Sequence, residues 1–253
     1  FILGTALPQL KDAARWRNLG ARILLDMAPV HVRADGSYVE QSTWYHPYTT
    51  DFYLHFLVLA GRSSMDVRGR IEKPLGVLLE HLAWLSRPDG SMPLIGDDDG
   101  GRLLFLDERT GHDARSPLAV GAVVLNRPDL AGPALASAEL VWLLGAPGLS
   151  AFNALEARVP PQLSRAFRDG GIHVMRTGWD ANASMMTVDA GPHGFMNGGH
   201  AHADALSIDL SVQGRPVLVD PGTFTYTVGA AWRDRFRETS SHNAATVDGC
   251  GSA

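Results

Sequence analysis

The sequence predicts an α+β protein in two parts, antiparallel helices over residues 1–160 and antiparallel β-structure over 161–253. Three observations carry this. Apolar residues before about residue 155 recur at intervals of three and four, the spacing of one helical face. After about Arg165 the period drops to two, clearest where Leu206, Ile208, Leu210 and Val212 alternate with Ser207, Asp209 and Ser211. Between these stretches the chain is punctuated by turn residues rather than by low-complexity sequence.

The first helix is expected over Leu10–Met27, with Leu10, Ala13, Ala14, Trp16, Leu19, Ile23, Leu24 and Met27 on its repeating face. Two more are expected over Thr50–Ala60 and Ile71–Leu85, the latter carrying Leu75, Leu78, Leu79 and Leu82. Pro117–Val124 and Ala134–Leu144 are shorter helical stretches. Ala34-Asp35-Gly36, Arg87-Pro88-Asp89-Gly90 and Asn126-Arg127-Pro128 supply the turns. Strands are expected at Gly171–Trp179 and Ala183–Ala190. A hairpin turns through Gln213-Gly214-Arg215-Pro216 into Val217-Leu218-Val219.

Composition narrows the function. With 45% hydrophobic and 19% charged residues the chain is an ordinary globular one. No apolar run reaches the ~20 residues needed to span a bilayer. A net charge of −5 leaves no basic footprint for nucleic acid. Lys11 and Lys73 are the only lysines, so positive charge is almost all arginine, the better fork for carboxylates. The single Cys250 excludes an intrachain disulfide. No signal peptide is visible. The chain opens at Phe1 without methionine and stops just after a strand-like stretch, so it reads as an excerpt of a longer protein.

Chemistry concentrates late in the chain. His200 and His202 share one face of an extended segment, Asp220 follows in Asp-Pro-Gly, and His242 follows in Ser-His-Asn. Imidazole nitrogens with a carboxylate oxygen are the donor set of zinc or a similar divalent ion. Either both histidines bind metal, or one binds and the other faces substrate. A second candidate, Asp35 to His46, is rich in aromatic, hydroxyl and acidic groups and is read as a loop between two helices. Asp97-Asp98-Asp99 between glycines suggests calcium, but no distal glutamate completes an EF-hand, so a solvated acidic turn is the expectation, with a polar role at the rim of a cleft as the alternative. The arginines of Trp232–Arg237 would meet an acidic sugar or form a charged strand edge.

Taken in order, Gln41-Ser42-Thr43-Trp44-Tyr45-His46, Ile95 to Arg102, Gly191-Pro192-His193-Gly194, His200-Ala201-His202-Ala203-Asp204-Ala205-Leu206-Ser207, Leu218 to Thr223 and Thr239-Ser240-Ser241-His242-Asn243 resemble the heparinase II/III-like polysaccharide lyases, with alginate lyases of related build. The resemblance covers nearly the whole chain and is most specific from His200 to Asn243. It implies an incomplete (α/α) toroid followed by an antiparallel β-sandwich. It implies a structural, site-shaping zinc ion on His202, Asp220 and His242, with Tyr45 the catalytic tyrosine and His200 facing substrate. Glu40, His46, Arg233 and Arg237 are then candidate substrate-binding residues.

The implied activity is β-elimination on a uronate polysaccharide, a glycosaminoglycan or alginate, outside the cytoplasm. Family members also carry an Asn-His pair on an earlier helix, expected here upstream of Phe1. Some carry a second tyrosine where this chain has Arg235 and Phe236. Two alternatives stand beside this reading: a non-catalytic carbohydrate-binding protein of the same fold, and a cupin-like iron oxygenase, whose small β-helix would need no large helical half.

Overall fold

In the computed structural model, which describes residues 1–106, 108 and 112–252, the helical half begins with α1 (Ile2–Ala6) and α2 (Ala13–His31). Next come α3 (Tyr45–Arg62), α4 (Arg68–Leu85), α5 (Arg115–Val124), the single turn α6 (Pro128–Ala131) and α7 (Ala138–Ala154). α3 and α4 are apolar on most of their circumference, which buries both: Tyr53, Leu54 and Phe56 pack with Ile71, Leu75, Leu78, Leu79 and Leu82. α5 inserts Leu118, Ala119, Val120 and Ala122 into the same core, every one with no exposed surface. α7 bends at Gly145, whose φ of 70° interrupts the helical run.

The first helix departs from the expected pattern. Ala13, Ala21 and Ala28 form the inward face of α2, while Trp16, Leu19 and Ile23 are 37%, 39% and 51% exposed. Part of the bulky stripe expected to face the core therefore points outward, and over the first half of α2 the close approach of α1 leaves room only for small side chains. Gly4 shows the same constraint, since a Cβ there would lie 2.3 Å from the Ala13 carbonyl oxygen.

The sheet half is a five-stranded antiparallel meander: β1 (Ser164–Phe167), β2 (Ile172–Arg176), β3 (Met185–Asp189), β4 (Ser207–Val212) and β5 (Arg215–Leu218). β1 is not foreseen by the sequence pattern. Its four residues offer too short a pattern to recognise before β2 pairs with it. Beyond β5 the chain forms α8 (Ala230–Arg237) and one 3₁₀ turn (Thr239–Ser241). α8 corrects the expected strand edge: Trp232–Arg237 is helical and presents arginines at spacings of two and four.

Period two along β4 holds, but its polar members face the helices. Ser207, Asp209 and Ser211 are buried, whereas Ile208 and Leu210 are only half-buried on the far face. Arg87, just past α4, donates to both Asp209 carboxylate oxygens and to the Met92 carbonyl. That contact explains the inversion. A small second core of Trp84, Leu85, Phe167, Ile172, Val174 and Met185 joins the halves, and the Arg176 guanidinium donates to the Ser86 carbonyl at the C-terminal end of α4.

The turn after α2 is a further seam. Asp35 accepts from Ser37 N at 3.0 Å, Asp169 N at 2.7 Å and Gly170 N at 3.0 Å, so one carboxylate ties the helical loop to the β1–β2 turn. Gly36 sits beside it with φ +90°, and a Cβ there would lie 2.1 Å from the Val77 carbonyl oxygen. Gly36→Ala is therefore expected to destabilise the protein by at least about 1–3 kcal/mol. A thermal unfolding midpoint within a degree of the parent would contradict this.

Candidate active site

Ser42 sets the position of the first candidate residue. Its hydroxyl accepts from Trp44 N at 3.2 Å and Tyr45 N at 3.3 Å, and donates to the Asp97 carbonyl at 2.6 Å. Side-chain oxygens of this kind satisfy amides left open at a helix start. Tyr45 is thus the first residue of α3, not part of a loop. The next turn of the chain sends His46 the other way. His46 is buried in the helical core, with Nε2 bonded to the Leu78 carbonyl at 2.9 Å and its ring against His81, and burial lowers its pKa to about 4. A substrate-binding role for His46 is corrected by this placement: helical geometry turns neighbouring side chains about 100° apart.

The Tyr45 ring meets the His200 ring across the boundary between the halves, with centroids 4.6 Å apart. Tyr226 completes the group. Its hydroxyl lies 2.9 Å from His200 Nδ1. Arg233, on α8, lies over the Tyr226 ring at 4.4 Å. His200 Nε2 stands 3.6 Å from Glu40, longer than a hydrogen bond. Burial, reinforced by Tyr226 and by Asp99 and Asp97, pushes the Tyr45 phenol well above its ordinary value. The phenol is therefore protonated throughout the ordinary pH range.

Behind this group His202, Asp220 and His242 converge, all buried, with donor atoms within 4.8 Å of one another. Asp220 Oδ2 is 2.8 Å from His242 Nδ1, and its Oδ1 accepts from Gly222 N. His202 Nδ1 and His242 Nε2 are buried with no hydrogen-bond partner among the described residues. Two orphaned imidazole nitrogens beside a carboxylate fit a divalent cation. Asp204 lies close by, and burial next to Asp189 raises its carboxyl well above the usual range. Asp51, His55 and Glu139 form a second buried group in the helical half, where Glu139 accepts from Ser116 at 2.6 Å and meets His55 at 3.1 Å.

Asp97 corrects the expectation of a solvated acidic turn. Its side chain has no exposed surface, and both oxygens bind Arg233, at 2.8 and 2.6 Å. His202 Nε2 stands 3.1 Å from Oδ1 and His200 Nδ1 3.4 Å from Oδ2. Burial would raise this carboxyl, but bonds from His202 and Arg233 more than offset it and hold Asp97 well below the usual range. Asp98 and Asp99 do behave as turn residues, capping Gly100 N and Gly101 N. Arg233 is committed to Asp97, and Arg237 to the Ala201 carbonyl at 2.9 Å.

Comparison with known proteins bears on this arrangement. Residues 1–102 match the heparinase II/III N-terminus and residues 159–253 the heparinase II/III-like C-terminal region. The chain belongs to the heparinase II/III-like family. A heparin-sulfate lyase of Pedobacter heparinus is 27% identical over 250 residues, 97% of this chain and 34% of that protein. One of Bacteroides stercoris is 24% identical, again over 97% of this chain and 34% of the relative. The crystal structure of heparan sulfate lyase HepC from Pedobacter heparinus superposes with a TM-score of 0.69 and 26% identity, covering 94% of this chain and 34% of that one.

The chain thus spans about a third of the length of the curated relatives it matches. The cupin-like alternative loses its footing here: the strands run as a simple meander behind a large helical half. Two members of this heparinase-like site, Tyr226 and Asp97, are missed by reasoning from sequence. Where some members of the family carry a second tyrosine this chain has Arg235 and Phe236, and Tyr226 lies earlier, in the segment after Asp220-Pro221-Gly222.

Proposed function

We propose that this chain carries the catalytic region of a polysaccharide lyase that cleaves a uronate-containing glycosaminoglycan by β-elimination. The observation that carries the reading is the pairing of Tyr45 with His200 at 4.6 Å, one residue from each half, beside a metal-competent cluster. Membership of a family that includes heparin-sulfate lyases supports the substrate class.

His200 removes the C5 proton through Nε2, because Nδ1 is engaged with the Tyr226 hydroxyl at 2.9 Å. The C5–H electron pair becomes the C4–C5 double bond, and the C4–O4 bond breaks. Tyr45, held protonated, delivers its proton to the departing O4. The elevated phenol favours the acid role for Tyr45 and leaves base chemistry to His200. Glu40 stands beside His200 Nε2, and Arg237 braces the segment before His202 through the Ala201 carbonyl. Arg233 serves it indirectly by fixing the Tyr226 ring. His202, Asp220 and His242 would hold zinc, which when bound supplies a fixed positive charge that orients the segment carrying His200.

In this reading the helices are an arc of an (α/α) toroid and the sheet is one layer of a β-sandwich. The outward apolar stripe of α2 and the half-exposed Ile208, Leu210 and Leu218 face of the sheet are the surfaces such architectures cover. Action outside the cytoplasm follows from the same family resemblance. Among the described residues no helix is long and apolar enough to cross a membrane.

The full-length protein incubated with heparan sulfate, and in parallel with alginate, is expected to release products absorbing as C4–C5 unsaturated uronates. Saturated products would overturn elimination, and binding without cleavage would favour the non-catalytic alternative. Tyr226→Phe keeps the ring under Arg233 while deleting the hydroxyl. A lost bond to a charged partner is worth about 1.5–3 kcal/mol, so kcat is expected to fall about 10- to 100-fold. An unaltered kcat would remove Tyr226 from the reaction.

A further inference from the structure

We propose that Asp97 is the positioning residue that couples the metal cluster to the catalytic pair, so that one carboxylate from the helical half sets both. The inference rests on the lyase reading for its catalytic consequence and on geometry alone for its metal consequence.

The main chain of Asp97 already joins the two catalytic segments. Its N–H donates to the His200 carbonyl at 3.0 Å, and its carbonyl accepts from Ser42, whose oxygen in turn accepts from Tyr45 N. The fit is close: Gly96 holds φ +71°, and a Cβ there would lie 2.9 Å from the His200 carbonyl oxygen and 3.3 Å from Ser42 Cα. Loop 96–97 is thus wedged between the backbones that present Tyr45 and His200. A side chain at Gly96 would push them apart.

The Asp97 side chain continues the link. A carboxylate accepts through about four lone-pair directions, and here the donors are both Arg233 nitrogens, His202 Nε2 and the Thr223 hydroxyl at 3.3 Å. By accepting from His202 Nε2–H, Asp97 fixes the tautomer and leaves the Nδ1 lone pair, which no group among the described residues uses, for the cation. A carboxylate behind a ligating imidazole also makes it a better donor. By clamping Arg233, the same carboxylate holds the guanidinium over Tyr226, whose hydroxyl bonds His200, the ring that packs on Tyr45. Metal ligand and reacting groups therefore share one anchor.

Asp97→Asn in the full-length protein separates the two arms. The amide keeps the size but places an NH₂ against Arg233 or His202. Zinc affinity, measured by chelator competition without substrate, is expected to weaken about 10- to 100-fold, and kcat to fall with little change in KM. Arg233→Met leaves the Asp97–His202 bond intact, so it is expected to lower kcat while zinc affinity is kept. A folded Asp97→Asn protein with parental zinc affinity overturns the proposal, as does a parent that binds no zinc. Should Asp97→Asn not fold, the zinc-loaded parent decides: ¹⁵N chemical shifts that put the metal on Nδ1 of His202 support the proposal, and metal on Nε2 overturns it. Failure to cleave any polysaccharide would sink the lyase reading, yet leave the zinc measurements to decide the role of Asp97.

Discussion

Replacing Tyr45 by phenylalanine is expected to lower kcat on a uronate polysaccharide by about 10²–10⁴-fold, the range that a positioned general acid contributes. The ring is 8% exposed and packs on His200, and the substitution keeps that packing while deleting the acidic proton. KM should change little, because protonation of O4 matters only as the bond breaks. The pH profile tests the role separately. Tyr45 must be protonated to act, and burial with nearby Tyr226, Asp99 and Asp97 holds its pKa above the ordinary value near 10. Activity should therefore show no alkaline loss from this group below that value. Product formation by Tyr45→Phe at the parental rate, read by absorbance of the unsaturated uronate, would eliminate the proposed acid.

The metal donors are legible in the sequence because their signal is local. His-x-His in an extended segment aims two imidazoles one way, and Asp-Pro-Gly and Ser-His-Asn stand out from their surroundings. Asp97 is not legible, and the reason is physical. Three aspartates among glycines have the composition of a solvated turn, and two of them behave as one. What distinguishes Asp97 is its neighbours, Arg233 and His202, which lie 136 and 105 positions away. Tyr226 is hidden in the same way: its partners belong to other segments. His46 errs in the opposite direction, since proximity to Tyr45 in sequence becomes divergence once both lie on a helix.

In the fold, helices apolar on most of their circumference are the easiest to read, and α3, α4 and α5 form where Thr50–Ala60, Ile71–Leu85 and Pro117–Val124 predict them. The faces of α2 and β4 are harder. Periodicity reports which residues share a side, not which side meets the partner. Over the first half of α2 the alanines win because α1 approaches closely; on β4 the aspartate and serines win because Arg87 waits across the interface.

That last contact yields the largest expected loss of stability. Asp209 and Arg87 have side chains 6% exposed on either side and bind as two parallel N–H···O pairs, one at 2.8 Å from Nε. Removing one partner of such a pair strands the other charge away from water, which costs about 3–5 kcal/mol. Asp209→Ala should reduce unfolding free energy by that amount in urea titration, with Arg87 retaining only Ser91 Oγ and the Met92 carbonyl as acceptors. Arg87→Met combined with Asp209→Leu should cost much less than the two single changes added together, because no uncompensated charge remains. A loss below about 1 kcal/mol for Asp209→Ala would place the pair with exposed ion pairs. Arg87 would then no longer explain why β4 turns its polar face, rather than its apolar one, toward the helices.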